Sequence, residues 1–223
     1  MRPDAEHQLD VVLGSRSAQR LNLLSQLLPR ECIRVVPSPS EEEAGFDDCR
    51  SRAEIVTRLQ EIARTKAKAV KSVLPDTPTP DLILTADTVI VARDADGVLH
   101  PLGKPPAQNP SETVRTWFEQ LYAGREHLAA TAVSLTSASG AVDEFVVQTE
   151  VQMEIPAPEM LDWYLATGDS LGKAGGYGLQ TLGGLFITGV QGSISNVIGL
   201  PLAETWQALH RLGLVRHSPS PQC

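Results

Sequence analysis

The chain has few cysteines, no long apolar run and no excess of positive charge, and each lack excludes a class of protein. Its 223 residues include three cysteines, Cys32, Cys49 and Cys223, an odd number without a C-x-x-C pair. A disulfide scaffold and a zinc ribbon are therefore not expected, and a reducing compartment is. No apolar segment reaches 18 residues, and the polar opening MRPDAEHQ lacks the hydrophobic run of a secretory signal. These absences predict a soluble, cytoplasmic protein. Lys and Arg number 19 against 27 Asp and Glu, a formal net charge of −8. A binder of duplex nucleic acid or of an anionic membrane would carry a basic face, so neither partner is expected. Small polyanions stay open, because a few local cations can outweigh a negative total. There is no H-E-x-x-H, no cluster of His and Cys ligands and no repeat of 20–50 residues, which argues against zinc and against a repeat architecture.

What is present is enough apolar residue, 42%, for a sizeable core. Length predicts one domain or two small lobes. Leu9 to Leu13 reads as a short buried strand ending at Gly14, followed by a polar turn, Ser15-Arg16-Ser17. A helix follows, with Leu21, Leu24, Leu27 and Leu28 at helical spacing. Ile33 to Val36 is a second strand, and an acidic loop from Ser38 to Asp48 leads to a long helix over about 51–72. Three prolines make 74–80 a surface linker. Leu82 to Ala92 is a nearly continuous apolar strand, closed by the turn Asp94-Ala95-Asp96-Gly97. A helix over 111–122, a hairpin of 128–135 with 142–153, a helix from Pro158 to Gly168, a strand over 185–190 and a last helix over 201–212 complete the order. This succession predicts an α/β fold with a mixed central sheet flanked by helices.

Two charges stand where charge is costly. The long helix has an apolar stripe of Ile55, Leu59, Ile62, Val70 and Val73, and the missing rung is Lys66. Such a lysine snorkels at the edge of the stripe, or it meets a ligand phosphate or a partner carboxylate. Asp87 interrupts a strand that looks buried on both faces, so it must be paired, metal-bound or exposed at a strand end in a cleft. Ligands bind at strand ends in open α/β sheets, which favours a site. Glu41-Glu42-Glu43 matters only if it faces Asp87, where two carboxylates could hold Mg²⁺ against phosphate oxygens. Lys104 in a Gly-Lys-Pro loop, Lys173 among flexible glycines, and Arg20 one turn into the helix after Ser15 and Ser17 are phosphate-type groups.

Three motif matches fail. Gly168-Asp169-Ser170-Leu171-Gly172 fits the serine-hydrolase elbow, but it follows a helix and not a strand. Gly168 to Lys173 is one residue short of a Walker loop and has Ala174 where Ser or Thr would hold magnesium. Gly176-Tyr177-Gly178 does not extend to G-x-G-x-x-G, because position 181 is threonine. His127 reads as a structural histidine before a strand.

In order along the chain, Leu13-Gly14-Ser15-Arg16-Ser17-Ala18-Gln19-Arg20, Val35-Val36-Pro37-Ser38 with Glu41-Glu42, Ala63-Arg64-Thr65-Lys66-Ala67 and Thr85-Ala86-Asp87-Thr88-Val89 are followed by Leu102-Gly103-Lys104-Pro105. Gly124-Arg125-Glu126-His127 with Thr131, Lys173-Ala174-Gly175-Gly176-Tyr177-Gly178-Leu179-Gln180 and Asn196-Val197-Ile198-Gly199-Leu200-Pro201 come next. Together they resemble the Maf family of nucleoside triphosphate pyrophosphatases, of the inosine triphosphatase-like superfamily, as one domain over 9–212 with tails at 1–8 and 213–223. The resemblance implies two lobes around a cleft. It also implies metal-dependent hydrolysis (Mg²⁺ or Mn²⁺) of a nucleoside triphosphate between the α and β phosphates. Asp87 falls on the family's proton acceptor, and Glu42 with Asp87 on its metal site. Arg20, Lys66 and Lys104 match its phosphate contacts, with Ser15, Ser17 and Lys173 beside them. Gln180 falls on a base-side position, and Thr88 matches the branch preferring dTTP and UTP. A homodimer is implied as well. Ala18-Gln19 departs from the family's Pro-Arg, so Gln19 bears on base preference, while Gly14 stands for a common alanine and is expected to be harmless. Rival readings are a purine (ITP/XTP) pyrophosphatase of the same superfamily, a nucleotide-binding regulator of cell division without turnover, and a serine esterase using Ser170.

Overall fold

A computed structural model describes residues 9–39, 45–75 and 77–215. Strand β1 (Val11–Leu13) leads through helix α1 (Ala18–Leu24) to β2 (Ile33–Val35), and the long helix α2 (Arg52–Val73) leads into β3 (Leu82–Arg93) and its hairpin partner β4 (Leu99–Leu102). Helix α3 (Pro110–Trp117) precedes a second hairpin, β5 (Glu126–Ser137) and β6 (Val142–Met153), followed by α4 (Pro158–Thr167), β7 (Ile187–Gln191), α5 (Ile194–Ile198) and α6 (Leu202–Arg211). All seven strands join one mixed sheet, ordered β2-β1-β3-β5-β6-β7, with β4 added beside β3. The α/β expectation therefore holds. No helix among the described residues is long and apolar enough to cross a membrane.

Helix α2 starts at a reciprocal cap. The Ser51 hydroxyl accepts from the Glu54 N–H, and the Glu54 carboxylate accepts from the Ser51 N–H. Its buried positions Ile55, Leu59 and Ala63 pack on Val89 and Val91 of β3 and on Ala130 and Ala132 of β5. Val73, expected on the same stripe, is 51% exposed, because the helix ends there and the proline linker begins. The opposite face of the sheet carries two cores. One joins Leu13, Leu24, Leu84, Ala86, Leu135 and Leu209. The other joins Ile90, Ala129, Phe118, Tyr122, Tyr164 and Phe186. These are the two lobes.

Along one edge β3 pairs with β5 from Leu82↔Ser137 to Val91↔Leu128. Along the other it pairs with β1 only up to Leu13↔Leu84 and with β4 only from Ile90↔Leu102. No described strand pairs with that edge between those points. At Gly14, whose N–H still bonds the Leu84 carbonyl at 2.8 Å, the chain leaves the sheet. A Cβ there would lie 2.6 Å from Thr85 Cγ2 and 2.8 Å from Val70 Cγ2, so in this chain the glycine is needed for close approach, and alanine would require a shift.

Several element bounds differ from the sequence reading. Helix α1 stops at Leu24, where the chain tightens into turns in which the Gln26 and Leu27 N–H groups donate to the Leu23 and Leu24 carbonyls three residues back. The expected helix over 111–122 ends as α3 at Trp117, and a π-helical turn continues over Phe118–Tyr122. The strand expected from Leu185 begins at Ile187, because Leu182–Phe186 coils into a 3₁₀ turn. Helix α5, capped by the Ser193 hydroxyl, was not anticipated.

His127 lies within β5, 3% exposed, with Nε2 2.7 Å from the Tyr177 hydroxyl. Burial pulls its pKa down to about 3. The folded chain thus keeps a neutral ring where the unfolded chain takes up a proton, below the ordinary histidine value of about 6.5. Folding stability should fall as pH drops from there towards 3, this ring contributing about 2 kcal/mol of loss between pH 7 and pH 5. Urea denaturation of the wild type and of His127→Gln at both pH values checks this; an equal loss in the two proteins contradicts it.

Candidate active site

At the break in β3's edge a cleft of about 820 Å³ opens. Successive strand residues point to opposite faces. Asp87 and Thr88 do so here, yet both line the cleft, because no described strand covers the edge between the faces. Asp87 is mid-strand rather than at a strand end. It turns towards α2, where Lys66 Nζ donates to its Oδ1 at 2.7 Å. The two side chains are 14% and 15% exposed. Lys66 therefore meets a partner carboxylate, one of the alternatives open from the sequence.

On the other face Arg20 spans the floor of the cleft. Its Nε donates to the Gly199 carbonyl at 3.0 Å, Nη1 to Ser15 Oγ at 3.2 Å and Nη2 to Thr88 Oγ1 at 2.9 Å. Ser17 caps α1, its hydroxyl oxygen accepting from the Arg20 N–H, and donates to Gln19 Oε1 at 3.1 Å. Capping fixes the first turn of the helix and with it the root of Arg20.

The third wall is the glycine-rich segment with the Gly103-Lys104 loop. They are joined by the Gly175 N–H donating to the Gly103 carbonyl at 2.9 Å. Lys104 is exposed at the cleft, with no ion pair among the described residues. Lys173 pairs with Asp169 Oδ1 at 2.9 Å and also donates to its backbone carbonyl. Asp169 accepts the Thr181 hydroxyl on its other oxygen at 2.7 Å. Burial opposes its ionisation, but the Thr181 hydroxyl and Lys173 outweigh it and hold the carboxyl below its ordinary range. The glycines here are not flexible, contrary to the sequence reading. Gly175 and Gly176 sit at φ +68° and +72°, and an added Cβ would come within 2.6 Å of Ile90 and Val114 respectively. The Tyr122 and Tyr164 hydroxyls donate to their carbonyls at 3.0 and 2.9 Å.

One cleft thus gathers Ser15, Ser17, Gln19, Arg20, Lys66, Asp87, Thr88, Lys104, Lys173 and the exposed Gln180. Glu42 lies outside the described residues. Ser170 is buried in the turn after α4, without the strand a nucleophile elbow requires. Asp169, the hub of the glycine wall, was missed; its i,i+4 spacing to Lys173 was the available signal. Among the described residues no group of three or more His, Cys, Asp or Glu could cage a metal. A single cleft carboxylate does fit an ion such as Mg²⁺, which is held by one or two carboxylates and otherwise by phosphate oxygens.

Known proteins resemble this chain over nearly its whole length. The family described as Maf-like protein matches residues 10–212. A dTTP/UTP pyrophosphatase of Anaeromyxobacter sp. (strain Fw109-5) is 37% identical over 91% of this chain and 89% of its own length. A dTTP/UTP pyrophosphatase of Syntrophus aciditrophicus (strain SB) is 35% identical over 93% and 92%. A nucleoside triphosphate pyrophosphatase of Anaplasma marginale (strain Florida) is 34% identical over 94% and 97%. Among solved structures, a HAM1 protein from Coxiella burnetii aligns with a TM-score of 0.39 and 15% identity over 65% of this chain and 73% of its own, too low to carry an argument.

The Lys66–Asp87 contact is shielded enough to couple the two residues energetically. The destabilisations of Asp87→Ala and Lys66→Ala should sum to more than that of the double variant, by a coupling of about 1–2 kcal/mol. A cycle of thermal or urea melts reads this directly, and additive effects would show the pair to be solvent-screened.

Proposed function

This chain belongs to the Maf-like protein family, and on that premise we propose that it hydrolyses nucleoside triphosphates of the dTTP/UTP type. The bond cut is that between the α and β phosphates, giving a monophosphate and pyrophosphate, with a divalent metal. The names carried by its relatives supply the substrate class. The observation that carries the chemistry is a carboxylate, Asp87, held by Lys66 in a cleft whose described lining has five cations and one carboxylate.

Hydrolysis of a phosphoanhydride needs a proton acceptor for the attacking water and positive groups on the oxygens where charge collects. Asp87 is the acceptor, taking the water's proton on its carboxylate. Lys66 keeps that carboxylate against α2, so its reach into the cleft is fixed before substrate arrives. Arg20 on the floor of the cleft and Lys104 on its glycine-rich wall bind the phosphate oxygens and bring the chain of phosphates to Asp87. Gln180 and Gln19, both in the cleft lining, meet the base. When bound, the divalent metal neutralises triphosphate charge, with Asp87 and Glu42 as the residues that would hold it.

Asp87→Asn should keep the fold and lose about 10²–10⁴ in turnover with UTP or dTTP and Mg²⁺. Lys104→Ala should raise KM about tenfold, the value of one charge-assisted contact, with a smaller change in kcat. Pyrophosphate release across a panel of nucleotides measures both. Undiminished turnover by Asp87→Asn overturns the reading, and a clear preference for ITP or XTP overturns its substrate class.

A further inference from the structure

Thr131 is fully buried, outside the cleft lining, and directly opposite Thr88 in the β3–β5 register. Its hydroxyl donates to the Asn196 carbonyl at 3.2 Å, and its oxygen lies 3.0 Å from Thr88 Oγ1. A hydroxyl has one proton. With the Thr131 proton directed to Asn196, Thr88 is the donor in the pair, and its O–H points away from the cleft into the sheet. What Thr88 turns towards the cleft is an oxygen that accepts Arg20 Nη2 at 2.9 Å. The bonds therefore run one way, from Arg20 to Thr88 to Thr131 to Asn196.

The far end of this relay is stiff. Asn196 belongs to α5, whose Ser193 cap and whose Asn196 Nδ2, bonded to the Ala129 carbonyl at 2.9 Å and to Thr149 Oγ1 at 3.0 Å, pin it to the sheet. The carbonyl of Gly199, which ends α5, accepts Arg20 Nε. Two nitrogens of one guanidinium, Nε and Nη2, are thus referred to the same short helix, one directly and one through two threonines.

We propose that Thr131 is a positioning residue for Arg20, acting through Thr88, and that Thr88 serves the site by fixing this cation rather than by donating to substrate. The inference rests on the proposed role of Arg20 in holding phosphate. A threonine pair that only strengthened the sheet would affect melting alone; a positioning pair affects phosphate affinity, and only while Arg20 is there.

The test is a cycle of Thr131→Val and Thr131→Ser, each in the wild-type and Arg20→Ala backgrounds. It is read by the affinity for inorganic tripolyphosphate in calorimetry and by KM and kcat for UTP. Thr131→Val should weaken tripolyphosphate binding about 3- to 10-fold, the range of one neutral hydrogen bond, and raise KM in step while kcat changes less. Thr131→Ser should restore both, and in the Arg20→Ala background Thr131→Val should have no further effect. Wild-type affinity in Thr131→Val, the same loss without Arg20, or no rescue by serine overturns the inference. If Thr131→Val fails to fold, Thr88→Val and Thr88→Ser read the same relay from its other member. A wild type that binds tripolyphosphate but hydrolyses no nucleotide overturns the proposed function and leaves this inference to the affinity cycle.

Discussion

Strand β3 is held from Leu82 to Val91 on one side and, by the described strands, only at its two ends on the other. β1 grips Leu82 to Leu84, β4 grips Ile90 to Arg93, and each of these neighbours is rooted in a different core. The interval between them is a window in a sheet and not a loop, so its position is as rigid as the cores on either side. Backbone groups on an unpaired edge must find other partners, which is why such edges are covered, shortened or used. Here the window is where the strand turns polar. Asp87 and Thr88 occupy it, while the residues before and after are buried among apolar neighbours. Because the pleat sends these two side chains to opposite faces, a single opening is furnished from both sides of the sheet at once.

The glycine-rich wall follows from the same need for close approach. At Gly175 and Gly176 the backbone lies against Ile90 and Val114 with no room for a Cβ, in a conformation that L-residues avoid. The three tyrosines beneath, Tyr122, Tyr164 and Tyr177, spend their hydroxyls on the two glycine carbonyls and on His127. A segment that reads as mobile by composition is therefore clamped. It delivers Lys173 and the Gly103-Lys104 loop to the cleft at fixed height.

Much of this was legible in the sequence, because it showed as misfits. Lysine on an apolar helix stripe and aspartate in an apolar strand are each costly alone, and the structure resolves both by bringing them to 2.7 Å of one another. The Gly168–Gly172 match was rightly rejected on context, since a helix precedes Ser170. What could not be read depends on contacts distant in sequence. The rigidity of the glycines is supplied by Tyr122 and Val114. Helix α1 gives way to tight turns before Pro29, and α5 is too short to leave a periodic signature. The use of Arg20 as a spanning group needs Gly199, 179 residues away. Local pattern reports which residues are out of place, and tertiary structure decides which of them meet.

The pattern of partners then separates the cations by what an incoming anion must displace. Lys66 and Lys173 are each on a carboxylate, Asp87 and Asp169. A phosphate drawing either lysine away would strand a shielded negative charge beside its own, and that repulsion opposes the exchange. Among the described residues a carbonyl and two hydroxyls orient the Arg20 guanidinium, and Lys104 projects from its loop into the opening. A rigid scaffold leaves such a cation set in place before an anion arrives, the arrangement in which electrostatic stabilisation needs least reorganisation. A chain of net charge −8 can therefore recruit a polyanion at this site, because the charges that matter are the few cations around the window and not the total.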